Sequence, residues 1–570
     1  MIFDLFMFPL YVCAVYIFGV GVLRWRGKNI SNTSDIFPPF FYFVAAQLTV
    51  GFATVIWNFF YPVSSPIFIA ILIAIFGLGC FRLQREDRDT LVWAVLFAVL
   101  LSPITAAMEA GADAGLYHIP HQLLMRDEKV IFGLANLHSR FGSNSFVEYI
   151  SAPLWIGQYF KLLSYNMSVF VITLMIFLLQ MARSANPAVA VLGFLTMTGL
   201  IINSNFDFEY TSTDTPTGVM FAMSFFYGLS LLLNKITVTT RQLLILFLMA
   251  LLCFACKVSG AVIFLWVAMV LAMLITAKRI KFSNFFYASI LPSLLMITWL
   301  VRGFVISGCL LFPMPESCLD VYWNAKLAAI DNGNSVTAWA RHAAGGMYSL
   351  HSWDWFPNWW WSRYRFFCIY MALTAVGVGV VYYFLFNKKQ EEKEFALRIA
   401  GLIFLIFSLT VWFYKSPTPR FGMGNFVILP TVIVLAVCGF RWMDKSRWDF
   451  ITQKFIKFCS VLAGSANAAR LQASVLKIGA VSFIAILLVV GLTLKFNRQV
   501  LGSSNIRNII HFSMLKAPSM HTIPDKNFGV RPSNEVGHEV CWLERYCSTD
   551  DHPPIGEKYG YKYFSVKESQ

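Results

Sequence analysis

The sequence predicts an all-α integral membrane protein with about fourteen transmembrane helices, extracytoplasmic loops and a small extracytoplasmic C-terminal tail. Three observations predict it. Of 570 residues, 58% are hydrophobic and only 13% charged, and the mean hydropathy is +0.63. A bilayer core about 30 Å thick is crossed by roughly 20 apolar helical residues, and such runs recur along the whole chain. Lysine and arginine collect in every second connection between the runs, as expected of loops retained in the cytoplasm.

In order, the runs centre on residues 6–23, 40–60, 65–81, 91–107, 165–182, 187–203, 216–234, 241–256, 258–277, 284–303, 366–386, 399–414, 422–439 and 478–495. Residues 1–90 form an N-terminal group of helices. Residues 91–439 form a transmembrane core with large outer loops at 107–164 and 304–365. A basic connection, 440–477, has the character of an amphipathic segment on the cytoplasmic membrane surface. It precedes the last span, 478–495, and the tail, 496–570. The tail carries Pro, Gly, His and charges without a clear amphipathic period, so it is expected to fold against the body rather than act as a separate catalytic domain. The first run is followed by Arg-rich sequence without a small-residue cleavage site, and reads as a retained helix rather than a signal peptide.

The basic connections are Arg24 to Lys28, Arg82 to Arg88, Arg183, Lys235 with Arg241, Lys278 to Lys281, Lys388 to Lys393, and Arg441 to Lys477. The alternation keeps its phase over every run, which puts both termini outside. The net charge of +15 is then largely a topology signal beside anionic lipid, and nucleic acid is not an expected partner.

With that orientation, the polar clusters all fall on the outer side. "DAGLYHIPHQ" supplies Asp113, Tyr117, His118 and His121, with Glu109 just before it and His138 in "GLANLHSRFGSNS" after it. "NSNFDFEYTSTDTPTG" supplies Asp207, Glu209 and Asp214. Lys257, Arg302 and Arg420 stand at the outer ends of runs. A transporter would carry ionisable groups along a path near the midplane, whereas these spans are almost free of them. Polar groups gathered at one membrane face suit an enzyme with one lipid substrate and one aqueous substrate.

Sugar transfer from a lipid phosphate needs a base for the acceptor hydroxyl and cations for the departing phosphate. Asp113 is the candidate base, with an N-cap of the following short helix as its alternative. Glu109, Tyr117, His118, His121, His138, Asp207, Glu209 and Asp214 are candidates for binding substrate, although Asp214 also suits the first turn of a helix. Lys257, Arg302 and Arg420 are candidates for phosphate, or for snorkelling to lipid head groups. The His118 and His121 spacing is a weak zinc signal, with no Glu between them in the zincin manner and no Cys cluster nearby. Asp207 and Glu209, together with Asp113, leave a divalent cation such as Mg or Mn open. "HSWDWFPNWWWSRYR" reads as an interfacial aromatic belt, or alternatively as a surface that stacks on sugar rings or contacts lipid tails, and in either case is expected on the membrane surface. Cys309 with Cys318, and Cys541 with Cys547, are close pairs on the oxidising side and are expected to form disulfides.

Seven ordered blocks, "DAGLYHIPHQ", "GLANLHSRFGSNS", "STDTPTG", "KVSGAVIF", "RGFVISGCLLFP", "SPTPRFGMG" and "CWLERYC", resemble a bacterial multi-pass family related to the GT-C glycosyltransferases. The resemblance covers residues 100–430 and part of the tail. It implies a GT-C-like core, a polyprenyl-phosphate-linked sugar as donor and an acidic catalytic residue in the first large outer loop, where Asp113 matches. Three spans precede that loop's helix here, a departure that reads as an N-terminal addition. The implied function is an inverting glycosyltransferase of the bacterial inner membrane, working at its periplasmic face on an envelope glycan such as lipopolysaccharide or O-antigen. The alternatives are an O-antigen-type polymerase or ligase using a polyprenyl-diphosphate oligosaccharide, and a transporter of lipid-linked glycan.

Overall fold

The structure is a computed structural model that describes residues 2–25, 37–106, 108, 113–155, 161–183, 193, 212–233, 236–341, 352–361, 364–386, 395–438, 555–558 and 560–564. The expected spans at 187–203 and 478–495, the connection 440–477, most of the tail, Glu109, Asp207, Glu209, Cys541 and Cys547 lie outside the described residues. Among the described residues the helices are, in chain order, α1 (Ile2–Leu23), α2 (Pro39–Asn58), α3 (Pro66–Arg82), α4 (Asp87–Ala106), α5 (Ile119–Asp127), α6 (Phe146–Ser151), α7 (Tyr165–Arg183), α8 (Asp214–Leu233), α9 (Thr240–Cys256), α10 (Ile263–Thr276), α11 (Phe282–Ser307), α12 (Lys326–Arg341), α13 (Trp355–Trp361), α14 (Tyr364–Phe386), α15 (Phe395–Lys415) and α16 (Met423–Cys438). Among the described residues eight candidate spans are long and apolar enough to cross a membrane, and α3, α9 and most of α16 are shorter apolar helices. The chain is therefore a helical protein of multi-pass membrane character.

The first four long helices form one packed group. Proline occupies the first turn of α2 and of α3, where its missing N–H costs nothing. α1 packs against α2, α3 and α4. Small residues let the backbones approach: a Cβ on Gly19 would lie 2.0 Å from the Tyr42 carbonyl oxygen, and one on Gly79 2.0 Å from that of Ile17. At one end of this group the Arg24 guanidinium meets Asp87 at 2.6 and 3.1 Å. Tyr16 donates to Asp87 at 2.7 Å, and Arg24 donates to the Tyr42 hydroxyl at 3.0 Å. A buried ion pair is tolerated when its remaining donors and acceptors are matched in this way.

α8 is the hub of the second group. Every residue from Asp214 to Leu231 is buried, and the helix packs on α7, α9, α10 and α16. It enters from the end opposite the Arg24–Asp87 network, so its first residue, Asp214, lies among the polar loops. Those loops form a layer of their own. A π-turn, Ala114–His118, runs into α5; Pro120 is accommodated in the first turn of α5 and does not break the helical path. α6, α12 and α13 complete the layer, and Cys309 is joined to Cys318 by a disulfide there.

One feature of the fold is not helical. Residues Ile555–Lys558 (β1) and Tyr561–Phe564 (β2) pair as an antiparallel hairpin. The hairpin continues onto the loop layer, because Phe132 N–H donates to the Lys562 carbonyl at 3.0 Å and Phe564 N–H to that of Phe132 at 2.9 Å. Gly133, at φ +65°, makes room: a Cβ there would lie 2.4 Å from the Phe564 carbonyl oxygen. This part of the tail is folded against the body.

Candidate functional site

Three elements bring charge to one place. Asp214 begins α8, and its own N–H donates to the Ser212 hydroxyl at 3.3 Å, so Ser212 supplies the oxygen at the helix start. The Asp214 carboxylate is turned to cations instead. Lys257 follows α9 with an extended backbone, φ −160° and ψ 133°, which ends the helix and directs its ammonium onto Asp214 Oδ1. The "SPTPRFG" turn between α15 and α16 carries Arg420. Its Nε lies 3.6 Å from Asp214 Oδ2 and its Nη2 3.6 Å from Asp113 Oδ2. Arg420 thus stands between two carboxylates. Asp113 occupies the N-cap position of the π-turn but makes no side-chain capping hydrogen bond, so its carboxylate serves Arg420 rather than the helix.

The tryptophan-rich segment braces this turn. Trp359 donates from Nε1 to the Pro417 carbonyl at 2.6 Å, and Trp412 donates to that of Thr418 at 2.7 Å. Trp355 and Trp359 are buried against Phe413, whereas Trp353 and Trp361 are exposed. The segment is therefore partly a structural support, which neither the belt nor the sugar-stacking reading anticipates. Aromatic faces also flank the cations: the Lys257 ammonium lies 3.6 Å from the Phe421 ring centre, and the Arg420 guanidinium 4.6 Å from that of Trp339.

A second polar group is built from the π-turn, α5 and α6. Glu148 is 3% exposed, and its two carboxylate oxygens meet Nδ1 of His118 and Nδ1 of His121. Burial raises the carboxyl's proton affinity, but the two imidazoles outweigh it and hold Glu148 below the usual carboxylate range. Tyr117 lies beside His118, with ring centres 4.1 Å apart. Burial, then the Asp113 charge, pushes its phenol up and keeps it a neutral donor. His138 accepts the Arg140 backbone N–H at 3.2 Å on Nδ1. Burial, then the Arg140 charge, lowers its pKa to about 4.

Both groups face one cavity of about 1080 Å³. Asp113, Tyr117, His118, Glu148, Asp214, Lys257 and Arg420 line it. Arg140 and Lys415 add two cations to the wall, and Asn332 presents a buried side-chain oxygen without a hydrogen-bond partner. Such an acceptor is expensive to leave dry and suits a ligand hydroxyl.

Three expected site residues are elsewhere. Arg302 is 1% exposed, within α11, donating to Asn58 Oδ1 at 2.8 Å and to the Tyr149 hydroxyl at 3.2 Å. It ties α11 to α2 and α6 and does not line the cavity, contrary to the expected phosphate or lipid contact. His121 and His138 are buried behind the wall. Glu148, Arg140, Asn332 and Lys415 were not among the expected site residues. Glu148 carried a readable signal: a lone carboxylate in the apolar run "FVEYI" needs a buried partner, and two histidines one helical turn apart can provide it.

Among the described residues no three His, Cys, Asp or Glu side chains converge as a metal site. Of the residues expected to hold a divalent cation, Asp207 and Glu209 lie outside the described residues and Asp113 faces a guanidinium, so no catalytic step is routed through a metal.

The sequence profile of the family described as "Domain of unknown function (DUF8201)" matches residues 1–427. No curated protein and no solved structure matches the chain.

Proposed function

The chain belongs to the DUF8201 family, and for it we propose a membrane glycosyltransferase that moves a sugar from a polyprenyl-phosphate donor to an envelope glycan. The observation that carries this reading is the wall of the cavity. Lys257 and Arg420, held by Asp214 and Asp113, form a preset cationic edge for a phosphate. Asn332, Tyr117 and neighbouring serines offer hydrogen bonds of the kind a sugar needs. The donor's lipid tail stays in the bilayer beside the apolar helices. Asp113, the residue expected from sequence to be the base, stands beside Arg420 on the phosphate side, so under this reading it orients that guanidinium.

The proposed setting is the bacterial inner membrane with the cavity facing the periplasm. Fourteen crossings fit the path of the described helices. α7 runs away from the cavity end, since Gln180 accepts the Phe40 N–H at the start of α2, yet α8 starts at the cavity. The proposal therefore keeps the span expected at 187–203. α16 likewise leaves the cavity end, while the hairpin lies on the loop layer, and the proposal keeps the span expected at 478–495.

A second reading is a polymerase or ligase that uses a polyprenyl diphosphate. The four cations on the wall and the size of the cavity favour it over a non-catalytic transporter. Replacing Arg420 with Gln separates the three: loss of one sugar supports the transferase, loss of long chains the polymerase or ligase. Unchanged glycan with slower lipid movement supports the transporter.

A further inference from the structure

Resting on the transferase reading, we infer that His118 is the base that takes the proton from the acceptor hydroxyl, and that Glu148 positions it. A carboxylate that is ionised only accepts, so each imidazole meeting Glu148 donates its Nδ1–H and, in its neutral form, carries its lone pair on Nε2. His121 directs that lone pair into the protein, where Nε2 is buried without a hydrogen-bond partner, and it does not line the cavity. His118 does line the cavity. With Nδ1 occupied by Glu148, Nε2 is the nitrogen it has for chemistry. The same carboxylate stabilises the imidazolium formed when that nitrogen takes a proton.

Direction supports the same residue. In an inverting displacement the hydroxyl attacks the anomeric carbon from the face opposite the departing phosphate. Asp113 is 3.6 Å from Arg420 and Asp214 is joined to Lys257, so both carboxylates stand on the phosphate side. His118 belongs to a separate group, with Glu148 as its charged partner. In the step, the acceptor O–H bond breaks and its proton passes to His118 Nε2. The oxygen forms a bond to the anomeric carbon as the carbon–oxygen bond to phosphate breaks, and the electron pair leaves with the phosphate toward Arg420 and Lys257. Proton release from His118 to water restores the site.

The test uses spheroplasts bearing the full-length chain at matched membrane levels, pulse-labelled with sugar, with incorporation into envelope glycan counted. His118→Ala should lower the rate by about 10²-fold or more, the range for loss of a general base. Added imidazole should restore part of it, and pyrazole, of the same shape but far weaker basicity, should not. His118→Asn, whose amide can still donate to Glu148, should be folded, inactive and refractory to rescue. Glu148→Gln should show a smaller loss that imidazole does not repair. Full activity in His118→Asn, or a His118→Ala loss that imidazole and pyrazole leave equally unrepaired, overturns the assignment while the transferase reading stands. Incorporation unaffected by Arg420→Gln overturns both.

Discussion

At the scale of single residues, the cavity depends on a few charges whose partners are fixed. Asp113→Asn removes one of the carboxylates beside Arg420 while keeping the shape of the side chain and the ability to cap a helix. The expected outcome is a fall of about fivefold in glycan labelling with normal amounts of protein in the membrane, since a partly exposed ion pair is worth up to about 1 kcal/mol. His138 gives a pH prediction. Its folded pKa is about 4 against 6.5 normally, so the unfolded chain binds the extra proton first. Its contribution to the stability of the loop layer is complete above about pH 6.5 and declines as the pH falls toward 4. Thermal unfolding followed across that window should show the loss, and His138→Gln should flatten it. The residues on which these predictions rest were legible to different degrees. Asp113, His118, Asp214, Lys257 and Arg420 stand out in sequence because charge is rare around them. Their pairings did not, since contacts between residues on different elements, 30 positions apart for His118 with Glu148 and 43 for Lys257 with Asp214, are set by helix packing. Arg302 shows the limit: an arginine at the end of an apolar run looks the same whether it reaches for phosphate or is buried on Asn58 and Tyr149.

At the scale of elements, one device holds the site and another holds the opposite end of the helix group. The first is the brace of α13 on the Arg420 turn. Trp359→Phe removes the donor to Pro417 while keeping most of the ring contacts. The expected cost is about 1 kcal/mol locally, with reduced labelling and little change in membrane level, measured by the same pulse experiment. The second is the pairing of α1 with α4 through Arg24 and Asp87. Asp87→Ala strands a buried guanidinium, and its cost is expected at about 3–5 kcal/mol, read as a lower unfolding temperature in detergent. The long apolar helices among the described residues were legible because their only sequence requirement is about 20 residues without charge. The π-turn, α13 and the hairpin were not. Short elements in loops take their shape from what they dock on, and Gly133 alone hints that backbone approaches there.

At the scale of the whole molecule, two groups of helices carry a polar layer at one end, and the cavity lies in that layer. Basic connections alternating with polar ones already expressed this polarity in the sequence, because lipid excludes both from the spans. The proposed topology predicts that reporters fused after residue 183 and after residue 438 lie on one side of the membrane and a reporter after residue 341 on the other, which paired cytoplasmic and periplasmic reporter enzymes would check. The central claim, that the cavity transfers sugar, is tested most directly by the mass profile of envelope glycans from cells carrying Arg420→Gln beside wild type, at equal membrane levels. The account predicts glycans that are intact except for one missing sugar. A profile identical to wild type would contradict it.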